Sequence, residues 1–132
     1  MILLKKELFE QILRHCKKEF PNEACGILAG NKEDVTKIYE MANAESSPES
    51  FFMDAKEQLK VMKDIRNSGL DLVGIYHSHV ASVAYPSSKD LELAFYPDAS
   101  YVILTLKDKN NPGIRSFKIN EGKISEEEVV IA

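Results

Sequence analysis

Two hydrophobic periods alternate along this chain, and their order restricts it to a layered α/β fold. From Leu8 to Phe20 the apolar residues Leu8, Phe9, Ile12, Leu13, Cys16 and Phe20 recur at three- and four-residue spacing, the stripe of an amphipathic helix, which Pro21-Asn22 should end. Ala24 to Ala29 is instead a short unbroken apolar run. Gly30-Asn31 reads as a turn and Val35 to Met41 as a second strand, which together make a hairpin. After the polar stretch Ser46 to Ser50 the helical period returns. Asp54 is placed to cap a helix whose apolar positions are Ala55, Leu59, Met62 and Ile65, and Asn67-Ser68-Gly69 is placed to stop it. Leu72 to Tyr76 then reads as a buried strand, and a loop ending at Pro86 leads to Ser87, placed to cap a third helix to about Phe95. The remainder is strand-like: Tyr101 to Leu106, a turn at Asn110-Asn111-Pro112-Gly113, Ile114 to Ile119, a turn at Gly122, and an edge strand at Val129 to Ile131. Hairpins beside helical crossovers call for a mixed β-sheet, flanked here by about three helices.

At 132 residues the chain has the size of one domain, so residues 1–132 are expected to share a single core. The net charge is −4 and the lysines are interspersed with acids, which leaves no electrostatic footprint for nucleic acid. No apolar run is long enough to cross a bilayer, and Met1-Ile2-Leu3-Leu4 runs straight into Lys5-Lys6. A cytoplasmic protein without membrane contact is expected, with Cys16 and Cys25 as reduced thiols. His15 reads as an exposed helix residue and Cys25 as a buried packing residue near Glu23, close enough in sequence to approach the site described next.

Chemistry concentrates between Tyr76 and Asp90. His77 and His79 lie two apart at the end of a strand, where the period of two sends both imidazoles to one side. Asp90 falls in the first turn of the third helix, where a carboxylate is electrostatically favoured and can turn back towards the histidines. Two His and one carboxylate leave a fourth tetrahedral position open, the pattern of a catalytic zinc site. Glu23, between a helix end and an apolar strand, is the candidate base for a water at that position. Simpler readings compete. A His-x-His pair alone is usually surface, Ser87 and Asp90 by themselves form a Ser-x-x-Asp capping box, and an isolated Glu23 would be solvated.

The combination resembles a family pattern: Glu, then His-Ser/Thr-His, seven residues, Ser, two residues, Asp. His77-Ser78-His79, Ser87 and Asp90 match it, with Glu23 upstream in Asn22-Glu23-Ala24-Cys25-Gly26-Ile27-Leu28. Ser50-Phe51-Phe52-Met53-Asp54 and Val73-Gly74-Ile75-Tyr76 add similarity, so the match runs from Glu23 to about Ala94. The sequence is identified as a member of the JAMM (MPN+, Mov34-type) metallopeptidases of the minimal prokaryotic kind. It departs from the pattern at Val80, where proline is usual. The resemblance implies a cytidine-deaminase-like α/β architecture, Zn2+ held by His77, His79 and Asp90, Glu23 as general base, and Ser87 as donor to the developing oxyanion. It further implies hydrolysis after the Gly-Gly tail of a ubiquitin-like or sulfur-carrier protein. A metal site at the end of a strand, bordered by the Val80 to Pro86 loop and an exposed sheet edge, would suit an extended tail laid alongside the sheet. A non-catalytic MPN scaffold is the alternative, although such scaffolds typically lack the ligands. A zinc deaminase would need a Cys-x-x-Cys that is absent here.

Overall fold

The computed structural model describes all residues from Met1 to Ala132. In chain order the elements are β1 (Ile2–Leu4), α1 (Lys6–Glu19), β2 (Cys25–Asn31), β3 (Asp34–Met41), α2 (Ala55–Asn67), β4 (Asp71–His79), α3 (Ser88–Glu92), β5 (Ser100–Thr105), β6 (Gly113–Asn120), β7 (Lys123–Glu127) and β8 (Val129–Ile131). The strands form one sheet in the order β7-β6-β5-β4-β2-β3-β1-β8. It is mixed: β4 pairs antiparallel with β2 and parallel with β5, and β1 is parallel to both β3 and β8. This is the expected α/β layering, with cores on both faces. Cys16 and Ile12 of α1 pack on one face with Leu28, Tyr76 and Leu104, while Ile65 of α2 packs on the other with Ile27, Ile75, Ile103 and Phe117.

Several elements depart from the sequence reading for identifiable reasons. Gly30-Asn31 is not the hairpin turn; β2 runs through both, and the reversal occurs at Lys32-Glu33, with Lys32 at φ 58°. Gly30 serves close approach instead, because a Cβ there would lie 1.9 Å from the carbonyl oxygen of Asp34, at a register shift of the β2–β3 pair. Gly122, at φ 77°, does make the expected turn. The third helix ends at Glu92 rather than Phe95. Pro97 disfavours helical geometry at Tyr96, whose amide donates to the Tyr101 hydroxyl instead, and Phe95 is left 69% exposed. Leu59 does not face the core but is 58% exposed, the buried side of α2 being carried by Ile65 with Val61 and Met62. His15, expected in solvent, is buried, its Nδ1 2.6 Å from the Tyr76 hydroxyl. Strands β1 and β7 are additional; the first has only three residues, and the second is too polar to show an apolar pattern.

Candidate metal centre

Strand β4 extends through both histidines, so the period of two delivers the two side chains to the α2 face of the sheet. Their Nε2 atoms are 3.1 Å apart. Asp90, the third residue of α3, brings Oδ2 to 3.1 Å from His77 Nε2 and 2.9 Å from His79 Nε2. Ser87 aims that carboxylate through a capping box: its amide donates to Asp90 Oδ2 at 2.8 Å, and its hydroxyl accepts from the Asp90 amide at 3.1 Å. The capping box is therefore formed, and it leaves the Asp90 carboxylate facing both imidazoles. Donors each about 2.0–2.1 Å from a tetrahedrally held ion are about 3.3 Å apart, so the three donor atoms fit a metal with little rearrangement.

The surroundings orient this group. His79 Nδ1 donates to the Val83 carbonyl at 2.9 Å, which turns Nε2 towards Asp90. His77 has no such partner for Nδ1; the Phe51 ring stacks on it instead, with centroids 4.6 Å apart and planes at 27°. All three side chains are buried. Burial holds the His77 imidazole below its usual pKa. His79, although burial opposes it, stays above, supported by Asp90 and the Val83 carbonyl. For Asp90, burial likewise opposes charge, but the two imidazoles and the Ser87 amide outweigh it and keep the carboxyl well below the ordinary range.

Glu23 lies in the segment joining α1 to β2 and is held by its backbone. Its amide donates to the Ser47 carbonyl at 2.8 Å, and Asn43 Nδ2 donates to its carbonyl at 3.0 Å. Asn43 also accepts from the amides of Glu45 and Phe52, so one side chain organises the loop beside Glu23. The Glu23 side chain is buried, Oε1 has no hydrogen-bond partner, and burial pushes its pKa up to about 8 against the pull of His79. A partnerless carboxylate oxygen next to three converging donors is where a polarised water would find its base. Cys25 stands opposite His77 in the β2–β4 ladder, but its thiol donates to the Ala42 carbonyl at 3.6 Å and burial pushes its pKa up to about 12. It lies outside the ligand group.

No sheet edge borders the site, because β4 is paired on both sides and the outer strands are β7 and β8. Its rims are the Asn43 to Phe52 segment next to Glu23 and the Val80 to Pro86 loop next to His79. An apolar recess lined by Phe52, Met53, Leu93 and Phe95 has His77 and Asp90 in its wall. Asn43, Ser47, the Val83 carbonyl and the Phe51 stack escaped the sequence reading. Only Phe51, inside a segment already noted for its similarity, carried any local signal.

A family model described as prokaryotic homologs of the JAB domain matches residues 5–120. The chain is 37% identical over 131 residues to the CysO-cysteine peptidase of Mycobacterium tuberculosis, covering 98% of this chain and 90% of that one. It is 37% identical over 109 residues to the desampylase of Pyrococcus furiosus, covering 83% and 76%. The solution structure of a Desulfitobacterium hafniense protein superposes with a TM-score of 0.90 at 41% identity, covering 100% of this chain and 93% of that one.

Proposed function

Since the chain belongs to the prokaryotic JAB-domain family of JAMM/MPN proteins, we propose that it is a zinc-dependent peptidase that hydrolyses the bond after the Gly-Gly tail of a ubiquitin-like or sulfur-carrier protein in the cytoplasm. The observation that carries this reading is the convergence of His77 Nε2, His79 Nε2 and Asp90 Oδ2 within hydrogen-bonding distances of one another, beside the unpartnered Glu23 Oε1. The carrier-type substrate is supported by relatives named as a CysO-cysteine peptidase, a desampylase and a probable TtuB-protein conjugate cleaving protease. No helix is long and apolar enough to cross a membrane.

In this mechanism His77, His79 and Asp90 would hold a zinc ion, which when bound would supply Lewis acidity to the scissile carbonyl and lower the pKa of a water. Glu23 takes the proton of that water at its free oxygen. It then returns the proton to the departing amine nitrogen, which leaves as the neutral amine. Ser87 keeps its O–H proton while its oxygen accepts from the Asp90 amide, so it can donate to the oxygen on which negative charge develops. The Val83 carbonyl fixes the His79 tautomer throughout.

Elemental analysis of the purified protein, paired with cleavage of a Gly-Gly-tailed carrier bearing a C-terminal cysteine or lysine adduct, tests the assignment. About one zinc per chain and release of the adduct are expected. The reading fails if the His77→Ala, His79→Ala double variant retains as much zinc as the parent.

A further inference from the structure

Ser78 sits between the two histidines, yet strand geometry sends its side chain to the opposite face of the sheet, away from the metal donors. On that face it is completely buried, next to the Cys16 thiol of α1. The β2–β4 register pairs Gly26 with Tyr76 and Cys25 with His77; continued by one step, it sets Ala24 opposite Ser78. At that step the usual reciprocal pair of backbone bonds is replaced. The Ser78 amide donates to the Ala24 carbonyl at 3.0 Å, but the Ala24 amide donates to the Ser78 hydroxyl, at 2.8 Å, and not to the Ser78 carbonyl. The hydroxyl closes the ladder in place of a main-chain oxygen, at the point where the chain enters β2, directly after Glu23.

Building on the peptidase reading above, we propose that Ser78 is a positioning residue: its hydroxyl clamps the Ala24 amide and so fixes Glu23 relative to the histidines on either side of Ser78. Without the hydroxyl, the buried Ala24 amide is left unpaired or reaches for the Ser78 carbonyl, and either response moves Glu23. A shift of about 1 Å in a reacting group costs about 10²-fold in rate. Glu23 acts on the proton and not on the tail, so the loss should fall first on kcat, with a smaller change in KM passed through the Asn43 segment bonded to its backbone.

Three variants separate the hydroxyl from the volume it occupies. Ser78→Ala removes both hydroxyl and bulk, Ser78→Thr keeps the hydroxyl on a branched side chain suited to a strand, and Ser78→Val has the shape of threonine without the donor and acceptor. For each, bound zinc, kcat and KM on the Gly-Gly carrier adduct, and hydrogen exchange of the Ala24 amide in the metal-free protein are measured. Ser78→Ala and Ser78→Val should keep the parent's zinc, lose about 10²-fold in kcat with a smaller change in KM, and exchange the Ala24 amide faster, while Ser78→Thr should restore both kcat and protection. Unchanged kcat in Ser78→Ala, a loss of kcat that only follows loss of zinc, or a folded, zinc-loaded Ser78→Thr no better than Ser78→Val overturns the proposal. Should the parent itself fail to cleave the carrier, the peptidase reading falls, and exchange at Ala24 across the three variants still decides whether the clamp exists.

Discussion

Glu23 carries its carboxylate into a place that disfavours charge, and this has a consequence that can be read without substrate. In the unfolded chain it ionises near the ordinary carboxylate value of 4.5, whereas burial raises it to about 8 in the fold. Between those values the folded state holds a proton that the unfolded state has released, so stability falls as pH rises through the window and levels off above it. Glu23→Gln cannot ionise and should escape this fall. In chelator-treated protein, the variant is expected to be more stable than the parent by about 1–3 kcal/mol at pH near 8, and nearly equal to it at pH near 5. Parallel melting-temperature profiles for the two proteins would mean that Glu23 ionises freely in the fold. The same variant should keep zinc and lose hydrolysis by about 10²–10⁴. His77 depends on a different neighbour. Its Nδ1 has no hydrogen-bond partner, so the Phe51 stack is what orients the ring. Phe51→Leu should therefore weaken zinc retention by about tenfold in competition with a chelator, and retention equal to the parent's would reduce Phe51 to core packing.

Helix α3 is five residues long, too short to persist on helical propensity, and it exists because Ser87 and Asp90 cap each other across its first turn. The same carboxylate is one of the three atoms proposed to hold the metal, so on that reading one element carries both stability and chemistry. Ser87→Ala is expected to cost about 1 kcal/mol from the lost cap and to slow hydrolysis by about 10²–10³ through the lost oxyanion donor. The two effects separate in a thermal melt and a rate assay on zinc-loaded protein; full activity with lowered stability would leave Ser87 as a cap alone. This element also explains what the sequence made legible. His77 and His79 share a strand, and Ser87 and Asp90 share a helical turn, so their geometry follows from local spacing. Their convergence with one another and with Glu23 does not follow from spacing, and it was expected only through the family pattern. The bond of His15 to Tyr76, the bond of Ala24 to Ser78 and the close approach at Gly30 were hidden because the first depends on which face of the sheet α1 covers and the others on which strands lie side by side. The same holds for β1, whose three residues become a strand only between β3 and β8. The third helix was overextended because Leu93 and Phe95 continue an apolar pattern that Pro97 cuts short.

At the scale of the whole molecule, the sheet sinks the reacting groups below the surface: Glu23, His77, His79 and Asp90 are 3%, 2%, 3% and 7% exposed. The expected pairing of a substrate tail with an open sheet edge has no place to occur, since β4 lies in the interior of the sheet between β5 and β2. A tail that enters between the Asn43 to Phe52 segment and the Val80 to Pro86 loop, which flank Glu23 and His79, is selected by width rather than by strand pairing. Glycine has no side chain to clash with such walls, and a tail ending in two glycines can carry its last carbonyl down to donors that are nearly closed off. A branched side chain at the penultimate position has to displace one rim, and the Asn43 rim is tied to Glu23 itself through the bond from Asn43 Nδ2 to the Glu23 carbonyl. Forcing that rim apart would move the base along with the wall, so the penalty should fall on kcat as well as on KM. Carriers with identical folded bodies, differing only by Gly→Val at the penultimate position, are expected to differ by about 10²-fold or more in kcat/KM, with part of the loss in kcat. Equal cleavage of both tails, or good turnover of unstructured peptides lacking glycine, would show that the depth of the site does not select the tail and would make the protein a general peptidase.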